Sequence, residues 1–592
     1  MAILKSTLKG QTRNALSAAI GRITAIGLHA WILARDRTPI FGKVATSRRA
    51  RIVLQPYTRA YSIKKTILGI VSAPILIISC LMYGFFFGLT APTLTVAFVV
   101  PIFVITALII WALPHQSKAP TFLIEFLYPF FFVALILWPN YVGISLHGLP
   151  WITIIRLIGL PLVILFLINL SVSISFRRRV FETITSIKLL WYFFVGFIFI
   201  QIVTIVTSRS PGASAQLVFN QQIYWTAIFA IGCAIFRDTR QIEKYMALLC
   251  ILAVPIVLIS FPESAEKHVL WMNKIPKILT IPDPSVKVIL TPTFRAGTNF
   301  FRVRTTFSTS LEQAEYLSLL TPFLLYFGFS SKSVLFRIFS FALIPAIFIA
   351  IRLTDSRLGV VGMLVSILLY GVLWSIVRWR AHPRDLIAAA TVYLYPIVFV
   401  TAIGVVLTSH RLRAMALGGD AQASSTAARE SQLAMAIKGF KKAPWGWGAG
   451  QSGDAIGYPP GQFVAIDNHF IVLLLEYGAL GIIAWYGIFI VAIVQAARHS
   501  MSAQYAGRLE ARLLAPLAIE LTAFIIIKWV HGGNYTHPID FMILGMVSAL
   551  IYNLHHGSPL VRPTPSRAGL RTEMAVNELP SYALVGHRQA FD

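Results

Sequence analysis

Charge is scarce in this chain, and acidic charge is scarcest. Of 592 residues, 12% are charged, with 23 Asp+Glu against 51 Lys+Arg. Soluble globular chains carry about 25% charged residues, so a water-soluble domain of this size is excluded. Cysteine is nearly missing. Cys80, Cys233 and Cys250 all fall inside apolar runs and read as small buried hydrophobes. That excludes a disulfide framework and a cysteine-based metal site. No internal repeat is evident, which counts against a transporter built from inverted halves. No cleavable signal-peptide pattern is visible either.

What the chain does have is apolar length: 57% of residues are hydrophobic and the mean hydropathy is +0.73. Repeated apolar runs of roughly 18–22 residues read as membrane-spanning helices. The expected spans are 66–88, 91–112, 121–144, 151–173, 189–207, 222–236, 245–261, 313–330, 338–354, 358–377, 386–407, 470–497, 513–530 and 539–554. The expected fold is therefore an all-α, polytopic integral membrane protein. It has about fourteen transmembrane helices and two long extracytoplasmic loops, 262–312 and 408–469.

Orientation follows from where the cations lie. Arg177-Arg178-Arg179, Arg237/Arg240/Lys244, Lys332/Arg337, Arg378/Arg380/Arg384 and Arg498/Arg508/Arg512 all follow even-numbered spans. They share a side with the N-terminal segment 1–65, which holds thirteen Lys/Arg against the single acid Asp36. The positive-inside rule then puts both termini in the cytoplasm. The net charge of +28 reads as orientation and gives no reason to expect nucleic acid. The run Ile23–Ala34, flanked by Arg22 and Arg35, is too short to span and reads as an interfacial helix. Residues 66–554 form the transmembrane domain, and 555–592 a disordered cytoplasmic tail.

Arginine on the other face needs a reason, because it opposes that orientation. Arg295, Arg302 and Arg304 lie in the first long loop, Arg411, Arg413 and Arg429 in the second. Arg357 closes the tight turn Asp355-Ser356-Arg357. A guanidinium is a planar fork of donors suited to phosphate oxygens. If these segments meet, Arg302, Arg304, Arg357 and Arg429 would bind a diphosphate. The plainer alternative is snorkelling to lipid headgroups, or pairing with Glu312, Glu315 and Asp420. Ser310 with Glu312-Gln313 reads as a helix cap.

The densest polar cluster is Asp467-Asn468-His469-Phe470 with Glu476-Tyr477-Gly478 and Gly481, where a polar loop ends and a span begins. Asp467 or His469 could act as a general base towards a hydroxyl. Equally, Asp467 could simply cap the helix and His469 sit in the core. Glu476 reads as an arginine partner. Upstream, Pro444-Trp445-Gly446-Trp447-Gly448-Ala449-Gly450 follows a helical run, Ser424–Phe440. Its glycines allow close backbone approach, and Trp445 and Trp447 suit either sugar stacking or anchoring at the membrane interface.

In this order, these pieces resemble the bacterial O-antigen ligase and polysaccharide polymerase superfamily. The carriers are Arg302-Val303-Arg304-Thr305-Thr306-Phe307, Asp355-Ser356-Arg357-Leu358-Gly359, Arg429, the Trp-Gly segment, and Asn468, Phe470, Glu476-Tyr477-Gly478 and Leu480-Gly481. The resemblance implies an inner-membrane glycosyltransferase with a periplasmic site that needs neither metal nor cofactor. It implies a glycan donor on undecaprenyl diphosphate, held by the arginines, and an acceptor hydroxyl activated by the residue before Asn468. That residue is commonly histidine in the family and is Asp467 here, which leans towards polymerising surface-polysaccharide repeat units. A ligase using lipid A–core is the alternative. Membrane lipids and other polysaccharide-assembly proteins are the remaining expected partners. A rival from another class is a flippase for lipid-linked oligosaccharide, which requires ionisable residues deep within spans. The spans read as poor in charge.

Overall fold

The structure is a computed structural model. It describes residues 119–145, 151–292, 294, 300–381, 384–408, 423–457 and 466–557, with 106–108, 110, 111 and 113 before them. The basic N-terminal segment, most of the first two expected spans, the C-terminal tail, Arg295, Arg411 and Arg413 lie outside these residues.

The described residues form helices and no strand, with a few isolated bridges. In chain order, the principal helices are α1 (Phe122–Leu137), α2 (Ile154–Val172), α3 (Ile174–Ile184), α4 (Lys188–Thr207) and α5 (Pro211–Ile235). Then come α6 (Thr239–Glu266), α7 (Ser310–Leu319), α8 (Thr321–Ser330), α9 (Val334–Leu353) and α10 (Arg357–Ala381). The last five are α11 (Leu386–Thr408), α12 (Ala423–Lys442), α13 (His469–Ser500), α14 (Leu509–Lys528) and α15 (His537–His556). Each expected span from residue 121 onward falls on helix. Among the described residues, eight helices are long and apolar enough to cross a membrane, fewer than the sequence expectation. Most of the first two expected spans lies outside the described residues, and Phe122–Leu137 and Leu386–Ile397 are shorter apolar helices. Two further expected spans differ for visible reasons. The expected span 313–330 is broken at Leu320 into α7 and α8, where Thr321-Pro322 begins a new helix. α14 carries Glu510, Arg512, Glu520 and Lys528, more charge than a simple span tolerates.

Burial separates rim from centre. Only 28% of the apolar window of α4 or α9 is buried, against 94% for α15. The rim helices turn Val206, Leu335 and Leu157 outward, the pattern of helices facing lipid. α15 is packed on every side and carries polar His537, Asp540, Ser548 and Asn553 inward. Cys233 and Cys250 are buried free thiols, as their apolar context indicated.

The first long loop begins later than expected, because α6 runs on to Glu266 and ends at Lys267, whose φ is 57°. This extension matters for Glu263. It is fully buried and accepts hydrogen bonds from the backbone N–H groups of Arg304 (2.9 Å) and Thr305 (3.2 Å).

Candidate functional site

Two of the expected arginines converge on one turn. Residues 302–304 dock on the end of α9, where Val303 N–H donates to the Leu353 carbonyl (3.2 Å) and Arg302 Nε to the Thr354 carbonyl (3.2 Å). Asp355 takes the left-handed conformation (φ 51°) that reverses the chain in so short a turn. Arg357 is then the first residue of α10. Its fixed position depends on Gly359, where a Cβ would lie 2.7 Å from Ile351 Cγ2 and 2.9 Å from Ala314 Cβ. Arg302 and Arg357 thus share one short stretch of surface. Arg304 does not join them. It is buried, and its Nη2 donates to the Thr291 carbonyl at 2.6 Å.

Arg429 belongs to a second group. It projects from α12 to Asp467, with Nε 3.6 Å from Oδ2 and both side chains partly exposed. The expected base and one expected diphosphate ligand are therefore neighbours. Asp467 does not cap the helix. Asn468 does, accepting from Phe470 N–H at 2.8 Å. The cap role being filled next door, the Asp467 carboxylate is left to face Arg429. His469, one residue on, is buried. Its ring lies 4.7 Å from Trp485 and 5.0 Å from His537, centroid to centroid. Among the described residues no side chain hydrogen-bonds its ring nitrogens, and the backbone of Gly532 lies beside it.

The Trp-Gly segment proves to be a backbone brace. α13 breaks at Gly478 (φ 69°), which frees the carbonyls of Leu475 and Glu476 from their helical partners. Trp447 N–H and Gly448 N–H take them, at 2.8 and 3.0 Å. A Cβ at Gly446 would lie 2.4 Å from the Glu476 carbonyl, and one at Gly478 2.4 Å from that of Pro444. Both glycines are thus required by close approach and by positive φ. Trp447 points inward, its indole N–H donating to Gly439 and Arg209 lying 4.7 Å over its ring. Trp445 is 72% exposed and fits an interfacial or glycan-facing role. Glu476 is buried against the Ser452 hydroxyl (3.1 Å) and, among the described residues, has no arginine partner, contrary to its sequence reading.

A polar core missed by the sequence reading lies behind these segments. Thr309, not Ser310, caps α7, in a reciprocal capping box with Glu312. Glu315 is fully buried and meets Lys528 (2.8 Å), the Thr536 hydroxyl (3.0 Å) and His531 Nε2 (3.4 Å). Lys528 also donates to the Gly533 carbonyl at 2.6 Å. Burial holds the His531 pKa well below its ordinary value, assisted by Lys528 and His469, which favours the neutral imidazole. The 529–536 loop joins everything. Gly532 lies against the Ile466 carbonyl, and Gly533 lies beside Glu312. With Glu520 and Asp540 also buried, the helical core is not poor in charge, and that expectation is corrected. The available signal was Lys528 inside an apolar run followed by His531-Gly532-Gly533 and His537.

Residues 340–486 match the family model described as O-antigen ligase. The match spans Arg357, Arg429, the Trp-Gly segment and Asp467-Asn468-His469, and stops short of Arg302 and Arg304. It bears out the superfamily resemblance. A search of curated proteins finds no match.

Proposed function

We propose that this chain, whose residues 340–486 carry the O-antigen ligase family domain, transfers a glycan from undecaprenyl diphosphate to an acceptor hydroxyl at the periplasmic face of the inner membrane. The observation that carries the proposal is the Arg429–Asp467 contact at 3.6 Å, at the start of α13 inside the matched segment. A partly exposed pair of this kind is worth about 0–1 kcal/mol, weak enough for a diphosphate oxygen to displace. Donor binding would draw Arg429 to phosphate and free the Asp467 carboxylate for the acceptor. The acceptor oxygen then bonds to the anomeric carbon as the bond from that carbon to the diphosphate oxygen breaks. Asp467 takes the hydroxyl proton, and polyprenyl diphosphate leaves with its new charge against Arg357, Arg302 and Arg429. Burial among aromatic rings suits His469 to positioning the start of α13 rather than to taking that proton.

Aspartate before Asn468 favours polymerisation of repeat units over transfer to lipid A–core. The test incubates purified protein with its lipid-linked glycan, with and without lipid A–core, and resolves the products on a gel. A lengthening ladder without lipid A–core is expected. Product only when lipid A–core is present assigns a ligase instead. No product in either arm overturns the proposal.

The buried Glu315–Lys528–His531 group favours a second reading, transport of the lipid-linked glycan, since intramembrane ionisable residues commonly mark transport paths. Arg357→Ala separates the two. Under the transfer reading, donor still reaches the outer face but no product forms. Donor trapped on the cytoplasmic side supports transport.

A further inference from the structure

A cavity of about 290 Å³ opens between α1, α2, α5 and the start of α15. It is near the lower end of the roughly 300–1,000 Å³ typical of small-molecule sites, which suits a single sugar ring. Four amide side chains line it, Asn140, Asn220, Gln221 and Asn534, together with the rings of Trp151 and Tyr224. Arg156 is the one charged lining residue, and its Nη1 is held by the Trp151 carbonyl at 2.6 Å. Among the described residues no carboxylate lines the cavity.

The amides retain hydrogen-bonding capacity. Among the described residues, the side chains of Asn220 and Asn534 make no hydrogen bond. Asn140 accepts from Ser308 (2.8 Å) through Oδ1, leaving its NH2 group. Gln221 accepts from Gln201 (2.6 Å) and from the Tyr477 hydroxyl (2.9 Å) through Oε1, again leaving its NH2 group. Amide groups pair with vicinal hydroxyls, donating to one and accepting from the next. The C–H face of a pyranose can lie on an aromatic ring. Gln222–Ala227 is a π-helical turn within α5, a feature that often marks functional sites. It sets Tyr224 and Trp225 in the cavity wall.

Two lining residues, Asn140 and Gln221, accept hydrogen bonds from Ser308 and Tyr477, which tie the cavity to both motif-bearing segments. Ser308 directly follows Arg302–Phe307, and Tyr477 belongs to the Glu476-Tyr477-Gly478 segment. Trp225 lies 4.9 Å from His537, which lies 5.0 Å from His469. We propose that this cavity is a carbohydrate subsite that seats one pyranose ring of the glycan substrate. This deepens, and rests on, the glycosyl-transfer reading.

The test uses the free repeat-unit oligosaccharide, released from the host's lipid-linked glycan by mild acid. Its binding to the full chain in nanodiscs is followed by saturation-transfer NMR. Asn220→Leu and Asn534→Leu should each weaken binding roughly 3- to 10-fold, the loss of one hydrogen bond, with an unchanged melting temperature. Arg357→Gln should bind the oligosaccharide like wild type. Absence of wild-type binding, or equal binding by the Asn variants, overturns the subsite. If wild-type protein forms no transfer product while the Asn variants lose oligosaccharide binding, the transfer reading fails and the subsite stands. In transfer assays with Asn220→Leu, a raised KM for acceptor places the acceptor's sugar in the cavity. A raised KM for donor places the donor's sugar there.

Discussion

Glu315 and Lys528 meet at 2.8 Å with no exposed surface on either side chain, whereas Arg429 and Asp467 meet at 3.6 Å with 43% and 34% of theirs exposed. Both pairs join distant parts of the chain, but physics gives them different work. The buried pair is hydrogen-bonded by Thr536 and by the Gly533 carbonyl, with His531 beside it. Breaking it strands a charge where water cannot reach. Among the described residues the exposed pair has one contact, and both side chains are open to solvent, so a ligand can exchange with either partner. A fixed pair suits holding the 529–536 loop, and an exchangeable one suits meeting substrate.

The comparison is tested most severely by Asp467→Asn. Loss of a general base lowers rate by roughly 10²–10⁴-fold, and product formation from lipid-linked donor should fall in that range. The melting temperature in detergent should stay unchanged. A fall in both would make Asp467 structural and collapse the distinction. Lys528→Met is the converse. Removing one member of a buried pair costs about 3–5 kcal/mol, so this variant should lose thermal stability or fail to accumulate. Lys528→Met combined with Glu315→Gln should recover much of the loss, because no charge is left unpaired. If the double variant is no better than the single, the buried pair is not what holds the loop.

How much of this was legible in the sequence follows from the range of each interaction. Apolar length is local, so every described span from residue 121 onward was visible. The Asp355-Ser356-Arg357 turn was visible too, because two spans bracket it. Capping is local but degenerate: Asp467 and Asn468 both suit the role, as do Thr309 and Ser310, and only backbone geometry picks Asn468 and Thr309. Glu315 and Lys528 are separated by 213 residues. No pattern along the chain pairs them: Glu315 reads as a possible partner of the loop arginines, and Lys528 lies alone in an apolar run. The Trp-Gly segment was legible only in part, for a related reason. Its glycines signal close approach, but only the break at Gly478 shows that the approaching group is α13 backbone.

That brace offers a way to disturb one pair and leave the other. Gly478→Ala puts a Cβ 2.4 Å from the Pro444 carbonyl at a φ of 69°, a strain of about 1–3 kcal/mol. Pro444 lies two residues beyond the end of α12, which carries Arg429. Activity should drop well beyond the loss of stability, with Asp467 and Arg429 both intact. An activity loss no larger than the stability loss would mean that the brace does not position Arg429.

His531 gives a smaller effect with a defined sign. Its folded pKa is depressed by burial, Lys528 and His469, so the folded state binds fewer protons than the unfolded chain. Its contribution is complete above the unfolded value of about 6.5. It is lost as pH falls below that, by up to about 1.4 kcal/mol per pH unit. His531→Asn should flatten part of the acid limb of a melting-temperature profile. An unchanged limb would mean that His531 protonates in the fold, at the expense of its place beside Lys528.

The smallest expected number separates the two pairs most cleanly. A double-mutant cycle on folding stability with Arg429→Ala and Asp467→Ala should give a coupling below about 1 kcal/mol, shrinking further with added salt. The same cycle read on transfer rate should be strongly non-additive, since either loss disables the same step. Small coupling in stability with large non-additivity in rate is the signature of a pair that exists to be exchanged. Coupling of several kcal/mol in stability would put Arg429–Asp467 in the same physical class as Glu315–Lys528. A diphosphate could not then displace it, and the proton would have to leave the acceptor by another route.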